Sequence, residues 1–201
     1  MEWLPNPADG TMVCLGFDGS DVEDWSALRA ETVDGFQFTP RYGPDNRPTI
    51  WNPADWGGET PRHEVHAAVD ELWRRYDVRL FYCDPFGWAS EVCDWFAKYG
   101  DKQVLEWRTN RPRLMFEEIR RFETDLSSGR ITHDGCPLTA MAMSNAVRAA
   151  RPNDTYILNK PAGQVHRKID HAIASILAHT AAADAHEQGW AKVEVEYAYV
   201  W

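Results

Sequence analysis

Cysteine is scarce. The four residues Cys14, Cys83, Cys93 and Cys136 form no CxxC pair among 201 residues, so neither a zinc site nor a disulfide framework is expected. Long hydrophobic runs are missing too. None approaches the ~18 residues of a membrane-spanning helix, and the opening MEWLPNPADG lacks the basic and apolar regions of a signal peptide. Basic residues are few, 21 Lys+Arg against 31 Asp+Glu, for a net charge of −10. Residues 1–60 hold 11 acids and 3 bases (net −8), and residues 61–201 hold 20 and 18 (net −2). Such a chain binds nucleic acid poorly by charge alone, because phosphate neutralisation supplies most non-specific affinity. No GxxxxGK[ST] loop occurs, and GFDGSDVED has neither its lysine nor its spacing, so no P-loop can cradle a triphosphate. Aromatic residues, by contrast, reach 12% with 10 Trp. That is enough to bury a core and to argue against disorder, and the length suits one domain over 1–201.

The pattern along the chain predicts a mixed α/β sheet with helices on both sides. Thr11–Asp18 reads as a strand with Val13, Leu15 and Phe17 on one face, followed by a polar turn and an antiparallel return through SALRAETV. Residues 40–60 read as a loop with one strand in it. Pro61 opens a helix whose stripe is Val65, Ala68, Val69, Leu72, Trp73 and Tyr76. VRLFYCD then reads as a strand buried on both faces. A helix over Ala89–Tyr99, a strand over Gln103–Trp107, a helix from Arg111 to Leu126, a short helix over Leu138–Ala150, a strand at Tyr156–Leu158 and a last helix over Val165–Ala183 complete the reading. Residues 185–201 form a possible docking tail or edge strand, since KVEVEYAYVW alternates at period two.

Three aspartates stand where chemistry is expected. Asp18 ends the first strand, Asp84 ends the central strand, and Asp170 lies on the last helix. Ligands of open α/β sheets gather beyond the carboxyl ends of strands. With Ile169 at 0° and about 100° per residue, Asp170 falls at about 100°, on the edge of the buried stripe, and His166 at about 60° on the same side. Three unpaired carboxylates at one point repel and raise one another's pKa. A hard divalent cation such as Mg²⁺ or Mn²⁺ resolves this, and two ions about 3.5–4 Å apart support phosphodiester cleavage. Strand-end aspartates also cap turns, and Asp84 before Pro85-Phe86-Gly87 could do only that.

LGFDGSDVEDWSAL, FYCDPFGWASEVCDWFAKYG, GRITHDGCPLTAMAMSNAV and RKIDHAIASILAH resemble, in order and spacing, the nuclease domain of tailed-bacteriophage large terminase subunits, above all forms from actinobacterial phages. The resemblance covers roughly Val13 to His179. It implies a ribonuclease-H-like fold and a metal-dependent endonuclease that cuts concatemeric phage DNA during packaging in the host bacterial cytoplasm. It also implies Asp18, Asp84 and Asp170 as catalytic metal ligands, with Mg²⁺ or Mn²⁺ as the cofactor, bound as two ions. The partners it implies are double-stranded DNA, the terminase ATPase motor domain, the portal and the small terminase subunit. Asp24 matches an acid of the family's first hairpin and is a candidate secondary metal contact. His166 fits loosely a histidine one turn before the helical aspartate, as a metal-water contact or general base. Lys168 is a candidate to orient a carboxylate or meet a phosphate, and Arg108, Arg111 and Arg113 flank a loop suited to phosphate contact.

Two other classes fit parts of the pattern. DGS after a first strand also resembles the phosphate loop of actin-like and sugar-kinase phosphotransferases, but Pro-Phe-Gly after Asp84 offers few backbone N–H groups to an anion. A docking or regulatory module of the packaging motor would use the alternating tail Lys192–Trp201.

Overall fold

The computed structural model describes residues 2–190. Alternation in Met12–Asp18 (β1) sends Val13, Leu15 and Phe17 to one face and Cys14 and Gly16 to the other, and both faces are buried. Ser26–Thr32 (β2) returns antiparallel, with Phe17 opposite Leu28, and Phe36–Phe38 (β3) pairs antiparallel with it. Residues 40–60 are more ordered than the turn-rich sequence suggests. Arg41–Tyr42 (β4) and Arg47–Pro48 (β5) make a small hairpin, Ile50–Trp51 (β6) pairs with β2, and Pro53–Trp56 forms a 3₁₀ turn. Arg62–Arg75 (α1) buries Val65, Ala68, Val69 and Leu72, four of the residues of the expected stripe.

Asp77–Cys83 (β7) runs parallel to β1 with Phe17 opposite Cys83, followed by Ala89–Tyr99 (α2) and Val104–Glu106 (β8), which is parallel to β7. Pro112–Ser127 (α3), Thr132–His133 (β9), Pro137–Asn145 (α4), Val147–Arg151 (β10), Thr155–Asn159 (β11) and Asp170–Glu187 (α5) complete the described chain. The main sheet runs β8-β7-β1-β2-β3-β9, with β6 beside β2. One face packs on α1 and α2 around Leu15, Phe17, Trp88 and Trp95; the other packs on α5 around Cys14, Leu80, Tyr82 and Leu177, with α3 packed in turn on α5 and on β11. Each large apolar side chain so buried contributes about 1.5–3 kcal/mol.

Three expectations need correction. The helix over 138–150 stops at Asn145, and residues 147–151 pair as β10 with β11, so Tyr156–Leu158 belongs to a separate hairpin and not to the main sheet. The last helix begins at Asp170, not Val165. Residues 161–167 instead form turns, in which Gln164 donates its N–H to Pro161 O and Arg167 to Gln164 O. Residues 185–190 end α5 and its closing turn; the rest of the proposed tail, 191–201, lies outside the described residues. Among the described residues no helix is long and apolar enough to cross a membrane.

Candidate metal centre in an acidic cavity

Parity and register decide where the acids point. Asp18 shares its face of β1 with Cys14 and Gly16, and Asp84 continues the face of β7 that carries Leu80 and Tyr82. That face is the one α5 covers. Both carboxylates therefore emerge at the C-terminal ends of adjacent parallel strands, tied there by the Asp84 N–H donating to Phe17 O at 3.0 Å. Asp170, as the first residue of α5, reaches the same place from above. All three line one cavity of about 620 Å³, together with Asp24, Thr109, Lys160, Val22 and Phe86.

The electrostatics follow from this convergence. Burial pushes the Asp18 carboxyl well above the usual range, and Asp170, Asp84 and Asp24 push it further, in that order. Asp170 is raised to about 6, first by burial and then by Asp24, against the pull of its own helix-start N–H and of Lys160 and Lys168. Its Oδ2 is buried without a hydrogen-bond partner. Asp84 is held on both oxygens: Oδ1 accepts from Phe86 N–H at 3.3 Å, and Oδ2 accepts from the Thr109 hydroxyl. Asp24 takes hydrogen bonds from the ammonium groups of Lys160 and Lys168, the latter at 2.8 Å. Burial alone would raise Asp24, yet these bonds outweigh it and hold it below the usual value.

The two loops that carry Asp18 and Asp84 are knotted by Arg62. Its guanidinium pairs with Asp21 and with Glu91, donates to Gly87 O at 2.8 Å, and lies 4.4 Å over the Trp88 ring. Gly19 is required at this point, since a Cβ would meet Trp88 at 2.6 Å and Phe17 at 2.7 Å.

The proposed secondary residues divide. Asp24 lines the cavity. His166 does not: with α5 starting four residues later, it sits exposed in a turn and shares no helix face with Asp170. Lys168 is taken up by Asp24, Glu23 O and Val165 O, and so fastens the pre-α5 segment to the first hairpin. Arg108 and Arg113 are exposed and pair with Glu106 and Glu117, while Arg111 is exposed just before α3; the segment between, Thr109–Asn110, lines the cavity. Sequence reasoning missed Lys160, Thr109 and Arg62. Thr109 follows β8, the parallel neighbour of β7, so its position past a strand end was a usable signal. Lys160 and Arg62 had none short of the tertiary fold.

Among the described residues, no group of three or more His, Cys, Asp and Glu side chains is already gathered so that it could hold a metal ion. The donor set nevertheless suits a hard cation. It is all oxygen, it repels itself, and it contains a buried oxygen with nothing to bind.

A mixed sheet of this order with an acidic cavity at the ends of its central parallel strands defines a ribonuclease-H-like fold. Within that class, the chain has the fold of phage large-terminase nuclease domains. The large terminase of bacteriophage HK97 superposes with a TM-score of 0.65 at 17% identity, over 90% of this chain and 41% of that one. The large terminase nuclease of thermophilic phage G20c with bound magnesium superposes with a TM-score of 0.62 at 12% identity, over 90% and 92%. In sequence, the chain is 33% identical over 186 residues to the Gene 13 protein of Mycobacterium phage D29, covering 87% of this chain and 30% of that protein. The chain thus spans about 30% of the length of the curated relatives it matches. No protein-family model matches it.

Proposed function

We propose that this chain is a divalent-cation-dependent endodeoxyribonuclease that cuts phage DNA during genome packaging. The observation that carries the reading is the meeting of Asp18, Asp84 and Asp170 in one cavity, where burial and mutual repulsion leave charge for a cation to neutralise. The fold shared with terminase nucleases, one of them with bound magnesium, supports the same reading.

Asp18, Asp84 and Asp170 would hold Mg²⁺ or Mn²⁺ as two ions, and Asp24 would add a further contact. A metal held there would supply activation of a water and stabilisation of the leaving oxygen in phosphodiester cleavage. Thr109 fixes Asp84 by occupying Oδ2, which sets the direction of Oδ1. Arg62 keeps the loops of Asp18 and Asp84 in register. Arg108, Arg111 and Arg113, next to the cavity wall at Thr109–Asn110, would meet DNA phosphates. The net charge of −10 argues that DNA is held in place by a tether as well. A packaging ATPase motor, with the portal and small terminase subunit, in the host bacterial cytoplasm, would supply that tether.

The test is plasmid cleavage by the purified chain. Wild type is expected to nick or degrade supercoiled DNA in Mn²⁺ and to stop in EDTA. Asp84→Asn is expected to lose at least about a hundredfold in rate while melting as a folded protein. Equal cleavage by both proteins would remove the assignment.

A further inference from the structure

Phe86 is 80% exposed, more than any other large hydrophobic side chain among the described residues. It is not on a loose loop. Its N–H donates to Asp84 Oδ1 at 3.3 Å, the next turn is closed by Trp88 N–H on Pro85 O at 3.0 Å, and Gly87 takes a φ of +72°. Trp88 is fully buried, and Arg62 ties down Gly87 O. A rigid turn with anchored neighbours therefore presents one aromatic ring to solvent. The ring lines the carboxylate cavity, two residues from Asp84, with the exposed Val22 also on the lining.

Whatever enters this cavity meets six acids and the ammonium of Lys160, and the exposed apolar side chains on its lining are Phe86 and Val22. Phosphates are repelled by the acidic wall until a cation is present, and the wall includes Asp21 and Glu23 beside the four inner aspartates. The face of a nucleobase carries no net charge and stacks on an aromatic ring whatever the base. A ring fixed at the rim can also wedge into a base step. It adds a hold on the base to whatever the arginines beside the cavity and a bound cation provide on the phosphates.

We propose that Phe86 is a DNA-positioning residue that packs on a nucleobase beside the scissile phosphate. The proposal rests on the nuclease reading above.

The experiment compares wild type with Phe86→Ala, Phe86→Leu and Phe86→Trp. Cleavage of a duplex is followed in Mn²⁺, and binding is followed in Ca²⁺ on the same duplex carrying 2-aminopurine near the cut. Ala and Leu are expected to raise KM and Kd by about 5- to 150-fold. They should also lose the 2-aminopurine signal, and Trp should restore both. The slope of log Kd against log salt should stay at its wild-type value, because stacking releases no counterions. Melting temperatures should be unchanged, the ring being exposed. Wild-type KM and Kd in Phe86→Ala would overturn the proposal, as they would if the ring instead docks a protein segment. Rescue by Leu together with a lowered melting temperature in Ala would make Phe86 a packing residue and also overturn it. A wild-type chain that neither binds nor cuts DNA would instead remove the nuclease reading itself.

Discussion

Gly16 lies where β1 and α5 come closest. A Cβ there would sit 2.2 Å from Ala178 N and 2.4 Å from Ala174 O, both backbone atoms that cannot rotate away. Glycine at this position lets the helix rest on the strand, and that contact sets the height of Asp170 above Asp18. Gly16→Ala must lift α5, so a loss of about 1–3 kcal/mol is expected, typical of overpacking, with Mn²⁺-dependent cleavage falling further than stability. Urea unfolding and plasmid cleavage measured side by side would check this; unchanged stability would refute the close contact. At this scale the strand-end acids of the candidate site, Asp18 and Asp84, are legible in the sequence, and the structure brings both to one cavity. The role of Gly16 is not legible in the sequence, since close approach of two backbones leaves no mark on either segment alone. His166 falls outside the helix because the helical periodicity expected from Val165 sets in only at Asp170, the turns of residues 161–167 running up to it.

The hairpin of β10 and β11 delivers the one missed cation of the cavity. Lys160 follows β11 directly, and its ammonium on Asp24, beside that of Lys168, offsets the carboxylates. It lowers the pKa of Asp18, Asp24 and Asp170 alike. A divalent ion in this cavity would compete with that ammonium for Asp24. Lys160→Met is therefore expected to tighten Mn²⁺ binding at pH 8 by about fivefold, on the order of 1 kcal/mol for a partly exposed pair. It should also lower the melting temperature in EDTA. Calorimetric titration giving the wild-type affinity would show that the pair plays no part in the charge balance. Element identities were largely legible where one pattern dominated, as in β1, α1, β7 and α2. The hairpin was not. MAMSNAVRAA is rich in helix formers, yet residues 147–151 gain a paired partner in 155–159, and that pairing overrides propensity.

Across the whole molecule, the layers are stitched by charge as well as by apolar contact. His179 on α5 places Nδ1 3.0 Å from Glu31 of β2 and Nε2 3.1 Å from Asp125 of α3, so one imidazole joins the sheet to two helices. Arg29 of β2, buried, likewise reaches Ser175 of α5 and Asp134. The architecture was foreseen from the order of strands and helices, but these ties were not, because β2 reads as an ordinary return strand and each partner lies far away in sequence. Burial alone would lower the pKa of His179, but its bonds and attraction to Glu31 and then Asp125 outweigh burial and raise it above 6.5. A raised histidine pKa means that the folded state holds a proton the unfolded chain has released. The stabilisation is complete below about pH 6.5 and fades as pH climbs through the folded value. His179→Gln should therefore cost about 2 kcal/mol at pH 6, roughly 4–8 °C in Tm for a chain of this size. The gap to wild type should narrow steadily toward pH 9. Taking the difference between the two proteins at each pH cancels the carboxylates they share, so calorimetric melting across that range isolates His179. A gap that widens with pH would mean that the imidazole is neutral between its two acids.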